Sequence, residues 1–171
     1  MMVLLCVLLS RAMATDAIVA DGKSDWVIVS PKNSSPTEKF AASELASYLQ
    51  RMSGAKLKVV DETGGSSDWL MVANNDHVLP PTLPDNFQKS KDDDGFSITG
   101  AANAMVISGK TDRATLHAVY AFLDSLGCRF LAPEFEFYKG SAELIPKLST
   151  ISSDESVFHD TAQRVYRLPP H

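Results

Sequence analysis

The stretch GKTDRATLHAVYAFLDSLGCRFLAP, Gly109 to Pro133, holds the end of one strand, a complete helix and the opening of another strand. Thr111 or Asp112 can cap the helix, because a side-chain oxygen there accepts a backbone N–H that the first turn leaves without a partner. Leu116, Val119, Tyr120, Leu123 and Leu126 recur on one side at helical spacing, so that side is expected to face a core. Gly127 supplies the stop, since a residue without Cβ readily takes the left-handed conformation that ends helices. Cys128 to Ala132 then reads as a strand. A helix set between two strands in this way needs a sheet to rest on.

Upstream segments supply the sheet. Gly95-Phe96-Ser97-Ile98-Thr99 alternates as a half-buried strand does. After a turn near Ala101-Ala102-Asn103, the run Ala104 to Ser108 reads as its hairpin partner. Trp69 to Ala73, Leu57 to Val60 and Trp26 to Val29 are short apolar runs of strand length, the last ended by Ser30-Pro31. A first helix lies between two of them. Ser35 and Glu38 form a capping box, Pro36 suits the first turn, and Gly54 ends the helix after Arg51. Phe40, Leu45, Tyr48, Leu49 and Met52 are its expected apolar face. Asp61 to Asp68 is a turn or loop. Asn74 to Asp94, with Pro80, Pro81 and Pro84, is an irregular excursion of a length that is often functional. The predicted fold is α/β (α+β), a mixed sheet of about six strands with two helices packed on one face. Two helices cannot cover both faces of such a sheet, so the other face is expected to be partly open or met by a neighbour.

The chain has 171 residues, enough for one domain at roughly 100–200 residues each. Hydrophobic residues make up 44% and charged residues 22%, ordinary usage for a packed globular core. The formal net charge is -5, and no cluster of Lys and Arg offers the basic surface that nucleic acid requires. The run Val3 to Leu9 is too short to span a bilayer, which takes about 20 apolar residues. It is followed by Ala12-Met13-Ala14, a small-x-small cleavage pattern, although no Lys or Arg precedes it. Residues 1–14 therefore read as a signal peptide, and the protein as exported, periplasmic or extracellular. Cleavage would remove Cys6 and leave Cys128 alone, which excludes a disulfide framework and a zinc site of paired cysteines. Cys128, between Gly127 and Phe130-Leu131, reads as a small buried hydrophobe.

A search for chemistry finds little. His77, His117, His159 and His171 form no HExxH motif and no metal-ligand pair, and His117 reads as a boundary residue of the second helix. Asp92-Asp93-Asp94-Gly95 has consecutive acids where a calcium loop alternates them, and reads as a solvated turn. No GxSxG elbow occurs, and Gly64-Gly65-Ser66-Ser67 lacks the GK[ST] of a phosphate loop. Asn33-Ser34-Ser35 fits a glycosylation sequon, with Ser35 also serving as a cap. Glycoside hydrolysis needs two carboxylates about 5–9.5 Å apart. Glu134 and Glu136, roughly 7 Å apart on an extended segment, have a permissible spacing with nothing around them to form a pocket. No catalytic residue, metal or cofactor is expected.

Four segments taken in order carry a family resemblance: FAASELASYLQRMSGAKLKVV (Phe40 to Val60), DGFSI (Asp94 to Ile98), VISGK (Val106 to Lys110) and TDRATLHAVYAFLDSLGCRFLAP (Thr111 to Pro133). Together they resemble the N-terminal domain of bacterial alpha-glucuronidases and, more distantly, that of beta-hexosaminidases. The likeness covers about residues 25–135 and implies a domain over 24–150. In that family the domain is a non-catalytic α/β unit preceding a (β/α)8 barrel that carries the catalytic carboxylates. Residues 151–171 resemble the lead-in to such a barrel, which implies substrate-facing roles for Arg164 or Arg167. Arg113 fits the family's arginine at the helix start, and the resemblance implies a place at a loop or domain interface.

The expectation is thus a non-catalytic accessory domain, a fragment of an exported glycoside-hydrolase-like protein. Its partner is the missing catalytic barrel, and it meets carbohydrate only indirectly, with no nucleic acid and no membrane span. The alternative is a free-standing secreted carbohydrate-binding module. Sugar platforms expose flat aromatic rings, and Trp26 and Trp69 both lie in expected core strands.

Overall fold

The structure is a computed structural model that describes residues 17–74, 76–77, 95–101, 103–131 and 142–152. The expected signal peptide, Arg164 and Arg167, Glu134 and Glu136 lie outside the described residues. So do Asp92 to Asp94, His159, His171 and nearly all of the Pro80–Pro84 excursion.

Eleven elements run in the order β1 (Ala17–Val19), β2 (Val27–Val29), α1 (Pro36–Ser53), β3 (Lys58–Val60), β4 (Trp69–Asn74), β5 (Phe96–Ala101), β6 (Ala104–Gly109), α2 (Asp112–Ser125), β7 (Arg129–Phe130), β8 (Glu143–Leu144) and β9 (Ile151–Ser152). The main sheet has the order β3-β2-β4-β6-β5. β2 runs parallel to β3 and β4, and β4 parallel to β6, while β5 is the antiparallel edge. The β5–β6 hairpin closes with Ala101 opposite Ala104, as the alternating pattern predicts. The mixed sheet and the two helices on one face are therefore as expected.

The sixth expected strand pairs elsewhere. After Gly127, at φ 96°, the chain turns away from the sheet, and β7 forms a separate ladder with β8. A third small ladder joins β1 to β9. Ile18, Val19 and Ile151 from that ladder are buried in the main core, and Leu148 N–H donates to the Met52 carbonyl at the end of α1.

Both helix starts follow from local chemistry. At α1 the Ser35 hydroxyl accepts the Glu38 N–H, and the Glu38 carboxylate accepts the Ser35 N–H, completing the capping box. At α2 the Thr111 hydroxyl accepts the Ala114 N–H. The buried stripe of α1 is Glu38, Ala41, Ala42, Leu45, Tyr48, Leu49 and Met52. Phe40, expected on that face, is half exposed. At 100° per residue it stands roughly 140° round the helix from Leu45, so the two cannot share a stripe. On α2 the inward side is Ala114, Thr115, Ala118, Val119, Phe122 and Leu123, while Leu116, Tyr120 and Leu126 sit at its margin.

The core lies between these stripes and one face of the sheet, where Ile28, Leu70, Val72, Met105 and Ile107 are buried. The other face carries a smaller apolar cluster of Val29, Met71, Ala73 and Val106. It was expected to be partly open. Its centre is instead closed to solvent, with Val29 2% and Ala73 0% exposed. Among the described residues no helix is long and apolar enough to cross a membrane.

Candidate functional site

In open α/β sheets, ligands sit beyond the carboxyl ends of the strands, where the strand order reverses. Here that place lies between β2 and β4, beside the N-terminus of α1. It is filled by the chain's own polar groups. Glu38 is 0% exposed, and its carboxylate accepts the Ser35 N–H at 2.6 Å and the Asn74 N–H at 2.6 Å. Nδ1 of His77 lies 3.0 and 3.1 Å from its two oxygens. Asn74, at the end of β4, donates its amide to Asp112 at the start of α2 and accepts from the Asp76 N–H. A carboxylate so fully supplied with donors fastens α1 and β4 together and has no lone pair left over for a substrate proton.

A shallow depression of about 470 Å³ opens nearby, lined by Ser30, Lys39, Val59, Val60 and Asp61. Asp61 is its one carboxylate, so the depression lacks the pair that glycoside hydrolysis uses. Among the described residues no group of three His, Cys, Asp or Glu side chains could hold a metal ion.

A second constellation lies at the far end of α1. Tyr48, Tyr120 and Phe130 pack edge to face, with centroids 6.4, 5.5 and 4.8 Å apart. The Arg51 guanidinium sits 5.0 Å from the Tyr48 centroid. Glu143 on β8 accepts from both the Tyr48 hydroxyl and Arg51, while the Tyr120 hydroxyl donates to Glu44 at 2.7 Å. Burial, and then the bond to Glu143, pushes the Tyr48 phenol up to about 12; burial raises that of Tyr120 as well. The bonds from Arg51 and Tyr48 hold the Glu143 carboxyl below its ordinary 4.5. Edge-to-face rings offer no flat platform for a sugar, and Trp26 is buried.

The Glu143 linkage has a definite sign. A carboxyl lowered by folding contributes stability above its unfolded value, and that contribution is lost as pH falls through the folded one. Glu143→Gln is therefore expected to flatten the acid limb of the stability curve below about pH 4.5. Thermal midpoints of wild type and variant from pH 7 to pH 3 check this; parallel limbs would show that Glu143 takes no part.

Of the residues singled out from the sequence, Arg113 lies exposed in the first turn of α2. His117 is half-buried on the same helix. Cys128 is fully buried with its Sγ 3.7 Å from the Met52 Sδ, and burial raises its thiol, so it is a packing residue. Reading by spacing missed the Glu38–His77 pair. Glu38 was visible as a capping residue, but its partner lies 39 positions away, beyond any local motif.

Residues 16–122 match the family described as Glycosyl hydrolase family 67 N-terminus, a span that includes the main sheet, α1 and most of α2. No curated protein matches the chain.

Proposed function

The chain belongs to the glycosyl hydrolase family 67 N-terminal domains, and we propose that it is a non-catalytic accessory domain of an exported glycoside-hydrolase-like protein. In this reading it packs against a (β/α)8 catalytic barrel and takes part in carbohydrate breakdown through that partner. The family match over residues 16–122 carries the reading. The chemistry of the strand ends supports it, because the buried Glu38 is consumed by structural donors. Arg113 is proposed to lie at the domain interface, and Arg164 and Arg167 toward the substrate side.

The test has two arms. The purified chain is assayed with aryl glycosides and glucuronides, and no turnover is expected. It is then mixed with a family 67 catalytic barrel made as a separate polypeptide. A complex in size-exclusion chromatography and a raised unfolding midpoint of the barrel are expected. Turnover by the chain alone that disappears in Glu134→Gln or Glu136→Gln would make it a hydrolase in its own right and overturn the reading.

A further inference from the structure

Two apolar surfaces compete for the role of docking face. The helix-free face of the sheet carries Val29, Met71, Ala73 and Val106, but these are 2, 9, 0 and 4% exposed. A partner can gain hydrophobic free energy only from area still in water. That face has little left to give.

The β7–β8 ladder is the reverse case. Arg129 stands opposite Leu144 and Phe130 opposite Glu143, and the Leu131 N–H donates to the Ala142 carbonyl, which continues the ladder by one pair. Directly opposed residues share a face, and successive residues alternate. Phe130 and Glu143 therefore point inward, where they meet Tyr48 and Arg51. Leu131 and Leu144 point outward together, and they are 41 and 53% exposed, with Phe130 at 39% on their margin. The remaining exposed large hydrophobics among the described residues, Phe40 and Val59, lie on other elements. Phe40 is eleven residues before Arg51 on α1, about 16 Å along the helix.

A ladder this short would not hold two outward leucines in place by itself. Here its inner face is fixed by the three-ring cluster and the Glu143 bonds, and Lys147 Nζ donates to the Arg51 carbonyl just beyond. The outward leucines are thus presented on a rigid base, with Arg129 beside them as a polar rim. This is the anatomy of an interface centre, apolar within and charged at the edge. The ladder also begins directly after the family-matched residues, on the part of the chain that leads toward its C-terminal end.

We infer that the outer face of the β7–β8 ladder, centred on Leu131 and Leu144, is the surface that the catalytic barrel covers. The inference rests on the accessory-domain reading and goes beyond it by choosing this ladder over the helix-free sheet face. The Leu131→Glu/Leu144→Glu double variant and Phe40→Glu are compared with wild type. Binding to the separately made barrel is measured by calorimetry, and folding by far-UV circular dichroism melting. All three side chains are exposed, so the melts are expected to stay close to wild type. The double variant is expected to bind at least about tenfold more weakly, the effect of losing an interface centre, and Phe40→Glu to bind as wild type does. If the double variant fails to fold, the single changes Leu131→Gln and Leu144→Gln serve in its place.

Undiminished binding by these variants would overturn the choice of surface while leaving the accessory reading intact. Failure of wild type to bind the barrel at all would overturn that reading, and this inference with it. Self-association of the chain that vanishes in the double variant would assign the patch to a second copy and overturn the inference.

Discussion

Gly109→Ala is expected to lower stability by about 3 kcal/mol or more, a large part of the 5–15 kcal/mol that holds a typical domain together. Gly109 is the last residue of β6, and the first turn of α2 folds directly back onto it. A Cβ there would lie 2.1 Å from the Thr115 nitrogen, 2.3 Å from the Ala114 carbonyl carbon and 2.8 Å from the Ala114 Cβ. None of these atoms is the loose end of a side chain. Ala114 and Thr115 are fully buried, and the Thr115 hydroxyl is held between the Gly109 N–H and the Thr111 carbonyl. Relief would require α2 to lift from the sheet.

Gly54→Ala is the matched control. Gly54 sits at φ 84° with nothing within 4 Å of an added Cβ, so it carries only the left-handed strain, about 1–2 kcal/mol. Urea unfolding of both variants separates close approach from backbone conformation, since both changes add the same methyl group. A loss at Gly109 no larger than that at Gly54 would mean that α2 does not rest on the end of β6.

The same glycine shows what the sequence could and could not say. Gly109 was visible as a strand end because polar Lys110 and a helix cap follow it, and cap and stop signals likewise set the bounds of both helices. Those signals are local, and local chemistry survives the folding around it. The helix stripes were less legible. Phe40 was placed inside because it is large and apolar, whereas Ala41 and Ala42 are the inward residues at that level. Where α1 lies close against the sheet, a small side chain fits and a phenyl ring does not. Strand pairing was least legible of all. Cys128 to Ala132 has the composition of a main-sheet strand, but the direction taken at Gly127 sends it to β8, whose residues Glu143 and Leu144 carry no strand pattern. Glu143 was legible only as a surface acid, because its partners Tyr48 and Arg51 precede it by more than ninety residues.

Glu38→Ala is expected to cost about 3 kcal/mol, well beyond the loss of a helix cap. Two backbone donors, the N–H groups of Ser35 and Asn74, and the His77 ring would together lose their acceptor, and Asn74 is itself buried. Ser35→Ala removes only the hydroxyl half of the capping box and should cost about 1 kcal/mol. Glu38→Gln keeps one acceptor oxygen but turns an amide N–H₂ toward groups that also donate, so about 1–2 kcal/mol is expected. The order Glu38→Ala, Glu38→Gln, Ser35→Ala in urea midpoints is the diagnostic. Near-equal losses for Glu38→Ala and Ser35→Ala would reduce Glu38 to a cap and dissolve its link to β4. The link bears on function as well as stability. Glu38 occupies the strand-end position where open α/β folds receive their ligands, and it holds that position with bonds made entirely within the chain. A domain built in this way has closed its most natural binding crevice in favour of rigidity, which suits a part whose task is to be gripped by a neighbour.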